Sequence, residues 1–134
     1  MKMLIVEDDP TSRFVLQRFL EPFGECHLAR DGREAVQACA SALEARQPFH
    51  LICLDVMMPE MDGLTALNQI RAAEEQVGIL SHRGAKIIIT TVLDDVHHVI
   101  DAFYGLCDGY LTKPVELKRL VGLLKDLRLA GTPS

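Results

Sequence analysis

The chain has 134 residues, 49% of them hydrophobic, which suits one buried core and leaves little length for a second domain. Its 14 basic and 19 acidic residues give a formal charge of −5, which opposes the counterion-driven attraction behind non-specific nucleic-acid binding. The opening MKMLIVEDDP reaches acids after too few apolar residues for a signal-peptide core, and no later run approaches a membrane span.

Lys2 to Val6 is an apolar, β-branched run stopped by Glu7, Asp8 and Asp9, as expected of a buried strand emerging at a sheet edge. Asp9-Pro10 reads as an N-cap with proline at the first helical position, and Phe14, Val15, Phe19 and Leu20 recur at helical spacing before Pro22. Glu25 to Ala29 is a weaker strand, and the Asp31-Gly32 turn opens onto a helical stripe of Ala35, Val36, Cys39 and Leu43. Phe49 to Leu54 is a strong apolar run that meets Asp55 abruptly. Met57, Met58 and Pro59 then break the pattern, and Asp62-Gly63 precedes a third helix with Leu64, Leu67 and Ile70 on one face. Lys86 to Thr91 is a further β-branched strand, Asp94 and Asp95 start a fourth helix, and Tyr110 to Thr112 is a short fifth strand closed by Lys113-Pro114. Leu117, Leu120, Val121, Leu124 and Leu127 stripe the last helix.

Five strands alternating with five helices, with no hairpin turn between apolar runs, predict an α/β fold: a single doubly wound parallel sheet covered on both faces. Residues 76–85 form the one long connection, residues 1–129 read as one domain, and 130–134 as a frayed tail. In open parallel sheets ligands bind beyond the carboxyl ends of the strands, and here those ends are polar. The first strand ends in Glu7 and Asp8, the third in Asp55, the fourth in Thr90 and Thr91, and the fifth leads to Lys113. Carboxylates gathered at one edge repel one another unless a cation lies among them, and a hard ion such as Mg²⁺ suits oxygen donors. Asp8 and Asp55 are candidate direct ligands, with Glu7 acting through water. Phosphoryl transfer to a carboxylate asks for positioning and charge neutralisation; Lys113 offers an ammonium, Thr91 a hydroxyl, and the backbone after Asp55 N–H donors.

Taken together, LIVEDD, LICLDVMMPEMDG, IIITT and YLTKP resemble the receiver domain of two-component response regulators, over nearly the whole chain. The resemblance implies a flavodoxin-like sheet in the order 2-1-3-4-5. It makes Asp55 the phospho-acceptor, with Glu7, Asp8, Asp55 and the carbonyl of Met57 holding Mg²⁺ and Lys113 serving the chemistry. The interval from Thr91 to Lys113 favours Thr91 over Thr90, and Thr91 with Tyr110 would form a switch that reshapes the face of helix four, strand five and helix five. Lys113-Pro114 resembles the family's cis peptide. Two departures stand out: the stretch between Asp55 and Thr91 is longer than usual, its extra residues placed in 76–85, and Val92 stands where alanine or glycine is common, crowding the mouth of the site. Met57 and Leu93 occupy the positions that influence attack of water on the acyl phosphate; both are apolar, so slow self-dephosphorylation is expected.

The implied function is a stand-alone switch fed by a histidine kinase, or a phosphorelay intermediate passing its phosphoryl group to a histidine phosphotransfer protein. Its output would be a downstream protein target; nucleic acid and membrane are not expected partners, and a phosphorylation-dependent homodimer stays open. No turnover of external substrate is expected: a haloacid-dehalogenase-type phosphatase needs a second Asp where Met57 stands. Single features have plainer readings. Asp9 and Asp62 suit caps or turns, and adjacent His97 and His98 point about 100° apart on a helix and do not chelate together. Tyr104, with Ile100 and Phe103, reads either as packing helix four or as presenting a partner surface, and packing is the preferred reading. Cys26, Cys39, Cys53 and Cys107 form no CxxC pair, which fits a reducing cytoplasm.

Overall fold

The computed structural model describes residues 1–57, 63–80 and 83–129, apart from the side chain of Leu93. Strands β1 (Lys2–Val6), β2 (Glu25–Ala29), β3 (Leu51–Asp55), β4 (Lys86–Val92) and β5 (Gly109–Lys113) form one sheet in the order β2-β1-β3-β4-β5. Every pairing is parallel, as the uninterrupted alternation of strand and helix requires. Helices α1 (Pro10–Leu20), α2 (Gly32–Glu44), α3 (Gly63–Gln76), α4 (Val96–Phe103) and α5 (Leu117–Asp126) cover it.

The helix starts follow the residues that cap them. Asp9 accepts from the Ser12 N–H at 2.9 Å with Pro10 opening α1, and Asp31 accepts from the Glu34 N–H at 2.9 Å at the start of α2. Glu34 reaches back to the Arg30 N–H at 2.9 Å, satisfying a further donor at that end. The proposed cap Asp62, the break at Met58-Pro59 and the tail 130–134 lie outside the described residues.

Alternation along the strands splits the core into two layers. Leu4, Val6, Ile52, Leu54, Ile87 and Ile89 face α2, α3 and α4, meeting Ala35, Cys39, Leu67, Ile70, Val99 and Phe103. Met3, Ile5, Leu51, Cys53, Ile88 and Leu111 face α1 and α5, meeting Leu16, Leu20, Leu120 and Leu124. Both faces of the central strands are therefore apolar, which is why these runs read as continuous.

Several expectations shift. The third strand runs from Leu51 to Asp55 instead of Phe49 to Leu54; pairing begins where the His50 N–H meets the Lys2 carbonyl at 2.8 Å, while Phe49 is buried under Lys2 Nζ, 4.7 Å from its ring centre. Leu93–Asp95 form a 3₁₀ turn before α4. Phe14 is 61% exposed, because the buried side of α1 centres on Leu16 and Leu20 and Phe14 lies about 200° around the helix from Leu16. Tyr104 is 82% exposed and does not pack helix four: α4 ends at Phe103, and the extended backbone of Tyr104 carries it out of the stripe.

The described residues of the connection after α3, 77–80 and 83–85, lead to the amino end of β4, the edge opposite the strand ends that carry the polar residues. Buried Glu74 pairs with Arg71 at 2.8 Å and accepts from the Ala85 N–H at 2.8 Å. Arg71 also donates to the Ala85 carbonyl at 2.9 Å and reaches Asp108 at 3.4 Å, while Asp108 takes the Ile87 N–H at 2.8 Å. One guanidinium thus ties α3, the end of its connection and the loop before β5.

Candidate functional site

At the carboxyl edge, β1, β3 and β5 deliver Glu7, Asp55 and Lys113 to one place, with β4 lying between the last two strands. Strand alternation explains it: each residue stands two places beyond one that packs under α1 and α5, namely Ile5, Cys53 and Leu111. The three side chains emerge on the same face.

Glu7 is fully buried and Asp55 is 2% exposed. Lys113 Nζ lies 2.7 Å from Glu7 Oε1 and 3.0 Å from Asp55 Oδ2. The second oxygen of Asp55, Oδ1, accepts the Met57 N–H at 2.9 Å, so the turn after β3 points a backbone donor at the carboxylate. Arg13, a contributor that the strand-end reading passes over, donates to the Glu7 carbonyl at 3.1 Å and ties α1 to the end of β1.

Asp8, exposed, completes an acidic group: Glu7, Asp8 and Asp55 each offer a carboxylate oxygen, and these oxygens lie within 4.8 Å of one another. Burial, then the hydrogen bond to Asp55, push the Glu7 carboxyl from 4.5 up to about 8, against the pull of Lys113. Burial draws the Lys113 ammonium down, yet its bonds to Glu7 and Asp55 leave it above the usual lysine value. Glu7 Oε2 is buried with no hydrogen-bond partner among the described residues. One lysine therefore does not satisfy the carboxylates. An all-oxygen donor set with an unpartnered buried carboxylate atom fits a hard divalent cation such as Mg²⁺.

The two threonines of β4 separate. Thr90 is the register partner of Asp55, whereas Thr91 pairs with Thr112 and so lies on the other face with Tyr110. Both threonines are buried, and neither hydroxyl has a hydrogen-bond partner among the described residues. Tyr110 is half-buried against the α2–α4 layer; burial, and then its bond to the Cys107 side chain, raise its hydroxyl above the usual tyrosine value. Val92 is 38% exposed at the end of β4, opposite Lys113 in register, and Met57 is 49% exposed. His97 and His98 are both exposed on α4. The Leu93 side chain lies outside the described residues. Among those residues no helix is long and apolar enough to cross a membrane.

Residues 3–125 match the family model of the response regulator receiver domain. The transcriptional regulatory protein AruR of Pseudomonas aeruginosa is 34% identical over 127 residues, covering 94% of this chain and 48% of AruR. The response regulator MprA of Mycolicibacterium vanbaalenii is 34% identical over 134 residues, covering 99% of this chain and 52% of MprA. The chain thus spans about half the length of these relatives. Among solved structures, a putative response regulator from Chloroflexus aurantiacus superposes with a TM-score of 0.77 at 29% identity, covering 97% of this chain and 98% of that one. The receiver domain of Saccharomyces cerevisiae Ssk1, solved with the histidine phosphotransfer protein Ypd1, gives 0.75 at 30% identity over 93% of this chain and 87% of that one.

Proposed function

The chain belongs to the response regulator receiver domain family, and from that premise we propose that it is a phosphorylation switch whose acceptor is Asp55. The observation that carries this reading is the buried Asp55 carboxylate, held at one oxygen by the Met57 N–H and at the other by Lys113, beside Glu7 and Asp8.

The donor is a phosphohistidine of a histidine kinase or of a histidine phosphotransfer protein; the likeness to a receiver solved with such a protein supports the second source. An Asp55 oxygen attacks phosphorus, an O–P bond forms as the P–N bond breaks, and the imidazole leaves with the electron pair. Little acid or base is needed, so the protein's contribution is position and charge. Lys113 places its ammonium beside the attacking carboxylate, and the Met57 N–H fixes the orientation of that carboxylate. Glu7, Asp8, Asp55 and the Met57 carbonyl are the groups that would hold Mg²⁺, which when bound neutralises charge on the transferred phosphoryl oxygens.

From the end of β4, Thr91 offers its hydroxyl to the phosphoryl group and with Tyr110 forms the switch, and the surface of α4, β5 and α5 is the output, read by a protein target in the same polypeptide or another. Handing the phosphoryl group onward to a histidine phosphotransfer protein is the second reading. Apolar Met57 beside the site cannot orient a water, which supports a long-lived acyl phosphate and no turnover of external substrates. The free thiols of Cys26, Cys39, Cys53 and Cys107 suit a reducing cytoplasm.

Incubation with acetyl phosphate and Mg²⁺ followed by intact mass tests the proposal. The wild type should gain one phosphoryl group and Asp55→Asn none. Equal uptake by the variant would move the acceptor elsewhere, and no uptake by the wild type would end the reading.

A further inference from the structure

We infer that the hydroxyl of Thr90 positions the Lys113 ammonium in the phosphorylation site, an inference that rests on the reading of Asp55 as acceptor. The registers place it there. Asp55 pairs with Thr90, and Thr90 pairs with Leu111, two residues before Lys113. Cys53, Ile88 and Leu111 all pack in the layer under α1 and α5, so Asp55, Thr90 and Lys113, two residues further along their strands, leave the sheet on that same face.

Strand order supplies the second step. β4 lies between β3 and β5, so the Lys113 side chain crosses β4 to reach Asp55 at 3.0 Å and Glu7 at 2.7 Å. The β4 side chain level with Asp55 on that face is Thr90.

The hydroxyl itself supplies the third. Thr90 is 1% exposed, and its Oγ1 has no hydrogen-bond partner among the described residues. A buried hydroxyl without a partner costs stability that a valine of the same shape avoids, so its presence calls for a partner acquired in function. Lys113 can become that partner. An ammonium has three N–H donors, and Glu7 and Asp55 take two. When Asp55 is phosphorylated the ammonium follows the negative charge from the carboxylate to the phosphoryl oxygens. Thr90 Oγ1 accepts the third N–H and holds the lysine over β4 through that change.

The test compares Thr90→Val and Thr90→Ser with the wild type by the initial rate of acetyl phosphate labelling, read by intact mass, and by melting temperature. Thr90→Val should label about tenfold more slowly, the worth of one hydrogen bond to a charged group, while melting at or above the wild-type temperature. Thr90→Ser should label within about twofold of the wild type, since it restores the hydroxyl. Wild-type rates in Thr90→Val would overturn the inference, as would equal slowing in Val and Ser, which would make shape the cause. Should Thr90→Val melt lower, Thr90→Ser against Thr90→Ala isolates the hydroxyl: a gap of about tenfold supports the role and equal rates overturn it. A wild type that takes up no phosphoryl group would sink the reading of Asp55 and this one with it, whereas uptake indifferent to position 90 sinks this one alone.

Discussion

Replacing Glu7 by glutamine should remove a pH dependence that the buried acid imposes on the metal-free protein. Burial and the hydrogen bond to Asp55 raise the Glu7 carboxyl from 4.5 to about 8, even with Lys113 at 2.7 Å. The folded state therefore holds this proton more tightly than the unfolded chain does. Glu7's contribution to stability is fully present below about pH 4.5 and is lost as the pH rises through about 8. The slope is at most about 1.4 kcal/mol per pH unit, and across the window the loss is roughly 2–4 kcal/mol. Glutamine keeps the shape and an acceptor for Lys113 but cannot ionise, so Glu7→Gln should show little of that slope and be the more stable protein at pH 8. A divalent cation supplies what the carboxylates lack, so millimolar Mg²⁺ should stabilise the wild type increasingly from about pH 5 to 8 and the variant far less. Urea unfolding in chelator and in Mg²⁺, at stepped pH, measures all of this, and the variant subtracts every other titrating group. A metal-free wild type whose stability is flat or rising over that window, or a variant with an unchanged slope, would refute the reasoning.

Lys113→Met removes the cation shared by Glu7 and Asp55, and should cost roughly 3–5 kcal/mol at pH 8 and less at pH 5, where Glu7 takes a proton; urea midpoints at both pH values report it. Arg71→Ala strands Glu74 and Asp108 and should cost roughly 2–4 kcal/mol in the same assay. Its labelling rate should stay within about twofold of wild type, because that network lies at the opposite edge of the sheet. Phe14→Ala should change stability by less than about 0.5 kcal/mol, since that ring is 61% exposed.

Much of this architecture was open to reading because parallel strands buried on both faces leave unbroken apolar runs, and the residue that ends each run lies at the functional edge. β1 and β2 begin and end where their runs do, Asp9 caps the helix that its position suggests, and Asp31, read from sequence as a turn residue, caps the next. Helical spacing was less decisive. It shows that apolar residues recur at helical spacing without saying which of them face the sheet, and Phe14, one of the recurring set, emerges outward. Tyr104 leaves the packed stripe for a different reason: α4 ends at Phe103, and the side chain that follows swings away. In the clamp formed by Arg71, Glu74 and Asp108 only the first two have a local signature, as an i,i+3 pair on α3, since Arg71 meets Asp108 only when α3 packs beside the loop before β5.

The paired threonines show where a one-dimensional reading stops. Thr90 and Thr91 are chemically identical neighbours, and an interval counted to Lys113 can favour one of them without saying what the other does. Register assigns their faces: adjacent residues of a strand leave it on opposite sides, so the end of β4 places Thr90 on the face of Asp55 and Lys113 and Thr91 on that of Tyr110. A single strand end thus belongs to the chemical face and to the face proposed for output, with one peptide bond between them. A shift of that strand end large enough to reposition one hydroxyl must also move the other, because the backbone joining them is rigid on the scale of a hydrogen bond. In this geometry one short stretch of β4 backbone links the face that carries Asp55 and Lys113 to the face proposed for output, with no long relay of side chains between them.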